Sequence, residues 1–110
     1  MTWRGRDDLK ACAGAWAKRI GVEPARIQVQ SMTRKWASCS SRGVITLSSD
    51  LLDQDREFGE YVIVHELVHL MVPNHGKLFR SLLTAYLPEW EISAGDRAVC
   101  GQFRPRRRAA

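Results

Sequence analysis

The sequence predicts an α+β fold, a small three-stranded antiparallel sheet packed against one central helix with further helices on its flanks. Three observations predict it. Apolar residues recur at helical spacing near the start and again through the second half of the chain, short strand-like segments lie between, and glycine or proline stands at the main junctions. A length of 110 residues has room for one domain with one core. Residues 1–103 are expected to form that domain and residues 104–110 a disordered basic tail.

The first element is a helix, because Leu9, Cys12, Ala13, Trp16, Ala17 and Ile20 repeat at the three- and four-residue spacing of one helical face. Asp7 or Asp8 can cap its start. Gly21 suits the left-handed position just past its end, and Pro24 prevents it from resuming. From Arg26 the period changes to two, with Ile27 and Val29 alternating with Gln28 and Gln30, as on a strand with one face on a core. A second strand is expected over 34–39 and a third over 44–48, joined by the turn sequence Ser40-Ser41-Arg42-Gly43.

From Arg56 to Val72 the pattern turns helical and is apolar on most sides, which marks a helix buried in the middle of a domain. Pro73 stops it. Leu78, Phe79, Leu82, Leu83, Tyr86 and Leu87 then stripe another helix, closed by Pro88, and a last short helix is expected between Trp90 and Phe103.

Composition excludes several classes. With 45% hydrophobic and 26% charged residues the chain is neither disordered nor collagenous, and its longest apolar run, Tyr61 to Val64, cannot cross a bilayer. No membrane association is expected, and without an export signal at the start the expected location is cytoplasmic. The net charge of +5 sits mostly in Arg104, Arg106, Arg107 and Arg108, so the rest of the chain carries 13 cations against 12 acids. Cys12, Cys39 and Cys100 are odd in number and form no CxxC pair, which supports neither a disulfide framework nor a cysteine zinc ribbon.

Inside the central helix stands His65-Glu66-Leu67-Val68-His69. Residues four apart lie one turn above each other on the same helical face, so both imidazoles can reach one metal ion. Glu66, about 100° around the helix from His65, lies beside the ion without binding it and can take a proton from a metal-bound water. Ile63, Val64, Leu67, Val68 and Leu70 make the surroundings dry, so Glu66 needs a cation or bound water to stay ionised.

A catalytic zinc site takes three protein ligands and keeps one position open. His75 is the third candidate, because Pro73 forces a bend after Val72 and that bend can bring His75 back toward His69. Asn74 is the expected cap of the following helix. All three histidines of the chain fall in this window, in a HExxH-x5-H spacing.

Arg34-Lys35-Trp36-Ala37-Ser38-Cys39-Ser40-Ser41-Arg42-Gly43, Val44-Ile45-Thr46-Leu47, Tyr61 to Leu70, and Asn74-His75-Gly76-Lys77-Leu78-Phe79 together resemble the YgjP-like metallopeptidase family. These are compact zincins related to the SprT-like and WLM proteins. The resemblance runs from about Ile27 to Trp90 and implies that His65, His69 and His75 are zinc ligands and Glu66 the catalytic base. The chain departs from the family pattern at Ala37, Ser48, Gly76 and Arg80.

The expected function is therefore zinc-dependent hydrolysis of a peptide or protein substrate, which would bind by strand addition if the first strand pairs with it. Tyr61, Tyr86, Lys35 and Arg80 have the chemistry to stabilise an oxyanion. One alternative is a metal-dependent nucleotide phosphoanhydride hydrolase, with Arg34, Lys35, Arg42, Lys77 and Arg80 around an anionic substrate. Another is a nucleic-acid-associated module with a structural metal, making weak contact through the arginine tail and stacking bases on Trp3 and Trp36. The sequence leaves the oligomeric state open.

Overall fold

The computed structural model describes residues 2–95. Along the chain run α1 (Arg6–Ile20), β1 (Arg26–Gln30), β2 (Ala37–Cys39), β3 (Val44–Ser48), a 3-10 turn (Ser49–Asp53), α2 (Arg56–Val68), α3 (Lys77–Tyr86) and α4 (Trp90–Ala94). The fold class is α+β. The part of the last helix expected beyond Gly95, the tail 104–110 and Cys100 lie outside the described residues.

Local chemistry explains most of the boundaries. Gly21 adopts the left-handed conformation, φ 87°, and its N–H returns to the Ala17 carbonyl, closing α1 as its sequence predicts. Asp8 does not cap α1 in the expected way. Its Oδ2 accepts from the backbone N–H of Arg4 and from Arg56 Nη1 at 2.8 Å, tying the start of α1 to the start of α2 and holding the Asp8 carboxyl below its ordinary pKa. Asp55 caps α2, accepting from the N–H of Phe58. Ser48 opens the 3-10 turn by accepting from the N–H of Asp50.

The sheet corrects one expectation. It is mixed and not antiparallel throughout, with strand order β1-β3-β2. β3 pairs antiparallel with β2 through the hairpin at Gly43, φ 86°, but parallel with β1, placing Ile27 beside Ile45 and Val29 beside Leu47. The reason is apolar content. Ile45 and Leu47 are fully buried, so β3 takes the centre, whereas β1 alternates with glutamine and β2 is only three residues long, as edge strands often are. Segment 31–43, which contains β2, supplies the connection of about a dozen residues that a parallel pair requires. β2 is also shorter than the expected 34–39.

Helix α2 is the spine of the core. Tyr61 through Val68 are all buried, and the helix packs against α1, α3, α4 and the sheet. Its α-helical part ends at Val68, four residues earlier than the spacing suggests. From His69 the N–H groups reach back three residues, His69 to Glu66, Leu70 to Leu67 and Met71 to Val68, because the residue before Pro73 is kept out of the helical region. Asn74 does not cap α3 directly. Gly76 holds that position, and the Asn74 side chain accepts from the Gly76 N–H, folding the turn that carries His75.

Candidate metal centre

Three elements of local structure bring the histidines together. His65 and His69 project from successive turns of the α2 region, and the tightened turn through Val72, Pro73 and Asn74 returns His75 to them. One ring nitrogen from each of the three lies within 4.8 Å of the others, and the Nε2 atoms of His69 and His75 are 2.9 Å apart. Nitrogens bound to one tetrahedral ion at about 2.0–2.1 Å lie about 3.3 Å from one another, so the observed separations bracket the ligand geometry. The donor set fits a divalent metal that favours imidazole.

The surroundings prepare these rings as ligands. His69 Nδ1 lies 3.2 Å from the Val72 carbonyl, the outer hydrogen bond that leaves Nε2 to face the centre. Burial lowers the pKa of all three histidines. It drives His65 down to about 2, with His69 and His75 adding to the effect, and His75 down to about 4, assisted by His69 and Arg80. His69 is lowered too, against an opposing contribution from the Val72 and Pro73 carbonyls. Neutral imidazole is the form that binds metal, so the site is ligand-ready at neutral pH.

Glu66 lies beside this cluster with 1% of its surface exposed. Its Oε2 has no hydrogen-bond partner among the described residues. Burial pushes its pKa up to about 8, and Lys35 partly offsets this. A carboxyl so placed is costly unless a cation or a substrate water stands next to it. Glu66, His69 and His75 line one cleft with Lys35, Cys39 and Pro73. The edge strand β2 forms a wall of that cleft. β1, the strand on which strand addition is conditioned, lies at the far edge of the sheet, and β2 is the strand that lines this cleft with the histidines.

Other expected contributors separate. Lys35 reaches the cleft. Tyr61 belongs to the core, its ring between Phe58, His65 and Trp90, and Arg80 lies in a neighbouring groove on the His75 side. Trp3 is 6% exposed beneath Arg56, so it is not a surface for stacking bases, and Trp36 is half-buried against Phe58. Cys39 lies on the cleft wall, but burial, with the Glu66 charge, raises its thiol pKa and keeps it protonated.

Phe79 is the residue whose part in the site the apolar stripe conceals. Its buried ring contacts His65, His69 and His75 at centroid distances of 4.9, 4.7 and 5.0 Å. The available signal was its place in the first turn of the helix that follows His75.

Comparison with known proteins places the family and the fold. A sequence description of the YgjP-like metallopeptidase domain matches residues 2–95. No curated protein sequence matches significantly. Among solved structures, the chain is similar to the metallopeptidase zymogen jannalysin of Methanocaldococcus jannaschii, with a TM-score of 0.69 and 27% identity over 77% of this chain and 91% of that one. It shares its fold with the metallopeptidase zymogen abylysin of Pyrococcus abyssi, at a TM-score of 0.64 and 21% identity over 73% of this chain and 80% of that one. The domain match spans all the described residues, and the histidine cluster lies inside it: the chain belongs to the YgjP-like metallopeptidase family.

Proposed function

We propose that the protein is a zinc metallopeptidase in which His65, His69 and His75 hold the ion and Glu66 is the general base. One observation carries the reading: three imidazoles converge within 4.8 Å beside a buried carboxyl, and two of them, His69 and His75, line with it a cleft walled by an edge strand. Zinc held there would polarise a substrate carbonyl and make a bound water acidic enough to deprotonate near neutral pH.

The chain's own residues supply the rest. Glu66 accepts the proton of the attacking water and returns it to the departing amine, so one carboxyl serves both halves of the reaction. A divalent ion beside it would favour the ionised form that burial alone opposes, which is the form a general base needs. β2 pairs only with β3 among the described residues, which leaves its outer edge to hydrogen-bond an extended peptide alongside the histidines. Phe79 and the apolar residues of α2 exclude bulk water beneath the reacting atoms.

The test replaces Glu66 with Gln. The variant should retain one zinc per chain and lose hydrolysis of an unfolded protein substrate by about 10² to 10⁴, the range of a general base. Unchanged turnover would refute the role of Glu66. Turnover of nucleoside triphosphates in place of protein would establish phosphoanhydride hydrolysis instead.

A further inference from the structure

The catalytic cleft is not the only cavity that His75 borders. On its other side a groove of about 820 Å³ runs between α3 and α4, lined by Lys77, Arg80, Thr84, Trp90 and Glu91. It exceeds the cleft, which encloses about 410 Å³, and the two share His75. Because both cavities are lined by His75, a peptide bound along β2 at the histidines comes within reach of this roomier groove.

The groove has a built interior. Trp90 is 3% exposed and is fixed by a short relay: its Nε1 donates to Thr84 Oγ1 at 3.0 Å, and that hydroxyl donates to the Arg80 carbonyl at 2.8 Å. The Arg80 guanidinium lies 5.7 Å above the Trp90 ring, a cation over an aromatic face. The Arg80 guanidinium thus lies over an indole that is itself anchored to α3 through Thr84, which lowers the entropy lost when the guanidinium engages a ligand. Lys77, one turn earlier at the start of α3, adds a second cation to the lining. Glu91 is the opposing charge. Among the described residues of the lining, two cations stand against one carboxylate.

We propose that this groove is a substrate subsite selecting an acidic side chain, with Arg80 and Lys77 as the recognising cations and Trp90 as the platform that positions Arg80. The assignment rests on the peptidase reading above for its substrate, but its own evidence is the groove. A guanidinium suits a carboxylate because it offers paired donors in a fixed plane, and partial exposure limits the gain to about five- to tenfold in affinity.

The experiment uses the zinc-loaded Glu66→Gln chain, so that peptides bind without being cut. Three labelled extended peptides, identical except for Glu, Ala or Lys at one scanned position, are titrated by fluorescence anisotropy at low salt. At the position that enters the groove, the Glu peptide should bind about five- to tenfold more tightly than the Ala peptide, with Lys weakest. Adding Glu91→Gln should widen that gap. Arg80→Glu should reverse the order, and Arg80→Ala should collapse it, which keeps the test decisive if charge reversal prevents folding. Equal or undetectable binding at every position, or an order indifferent to Arg80, would overturn the subsite. Cleavage of the same peptides by the zinc-loaded unsubstituted chain separates the two claims. Acid-selective binding without cleavage would refute the peptidase reading and leave the groove standing, whereas cleavage without acid preference would do the reverse.

Discussion

At the scale of single residues, Glu66 and the histidines pull the metal-free protein in opposite directions as pH changes. Glu66 titrates near 8 in the fold against an ordinary 4.5, so between those values the unfolded chain gives up its proton first and stability falls as pH rises. The depressed histidines act the other way. Below about 6.5 the unfolded chain takes up protons that His65, at about 2, and His75, at about 4, refuse, so stability falls as pH drops. Replacing Glu66 with Gln should remove the first arm alone. Denaturation in chelator should show the variant gaining on the unsubstituted chain by a few kcal/mol between pH 4.5 and pH 8, on the order of 1.4 kcal/mol per pKa unit. Parallel pH curves for the two proteins would contradict the buried carboxyl. The identities of these residues were legible in the sequence, because a four-residue spacing and a proline stop are local signals. The contacts of Phe79 with all three rings were not, since a side chain in an apolar stripe reads the same whether it meets leucine or imidazole.

At the scale of elements, the end of α1 at Gly21, the full extent of β1 and β3 and the turn at Gly43 follow from period and turn chemistry, and the structure agrees with them. Strand direction does not follow from such signals. Whether β1 lies beside β2 or crosses to β3 depends on which strand is buried deepest, a property of the whole sheet. The early end of α2 is similar, because proline restrains the residues before it without stating how many tighten. One packing contact was also hidden. A Cβ on Gly59 would stand 2.4 Å from Trp3 Cζ2, so the glycine is the recess in α2 that admits the Trp3 indole. Gly59→Ala should therefore destabilise the protein by about 1–3 kcal/mol through overpacking. In a Trp3→Ala background the same change should become neutral or gain about 0.5–1 kcal/mol, because alanine is the better helix former once the recess is empty. Additive effects in the double-mutant cycle would show that the two residues do not share this space.

At the scale of the whole molecule, metal binding and folding are one equilibrium. α2 carries His65 in the core and His69 at its C-cap, and the turn into α3 carries His75, so an ion joining them would tie the two helices together. At a free zinc concentration 100 times the dissociation constant, the fold should gain about 2.7 kcal/mol. For a chain of this size that corresponds to a rise of about 10 °C or more in the melting temperature. Chelator should reverse the shift, and His69→Ala should abolish it while lowering zinc content below one per chain. A variant that still melts higher with zinc would place the ion elsewhere. No helix among the described residues is long and apolar enough to cross a membrane.

The most direct measurement is a crystal of protein purified without added metal, with diffraction collected on both sides of the zinc absorption edge. A single anomalous peak should lie about 2.0–2.1 Å from one ring nitrogen each of His65, His69 and His75, with Glu66 alongside and outside bonding distance. A peak bound to only two of these rings, with the His75 imidazole turned outward, or a peak coordinated by the Glu66 carboxylate, would contradict the account.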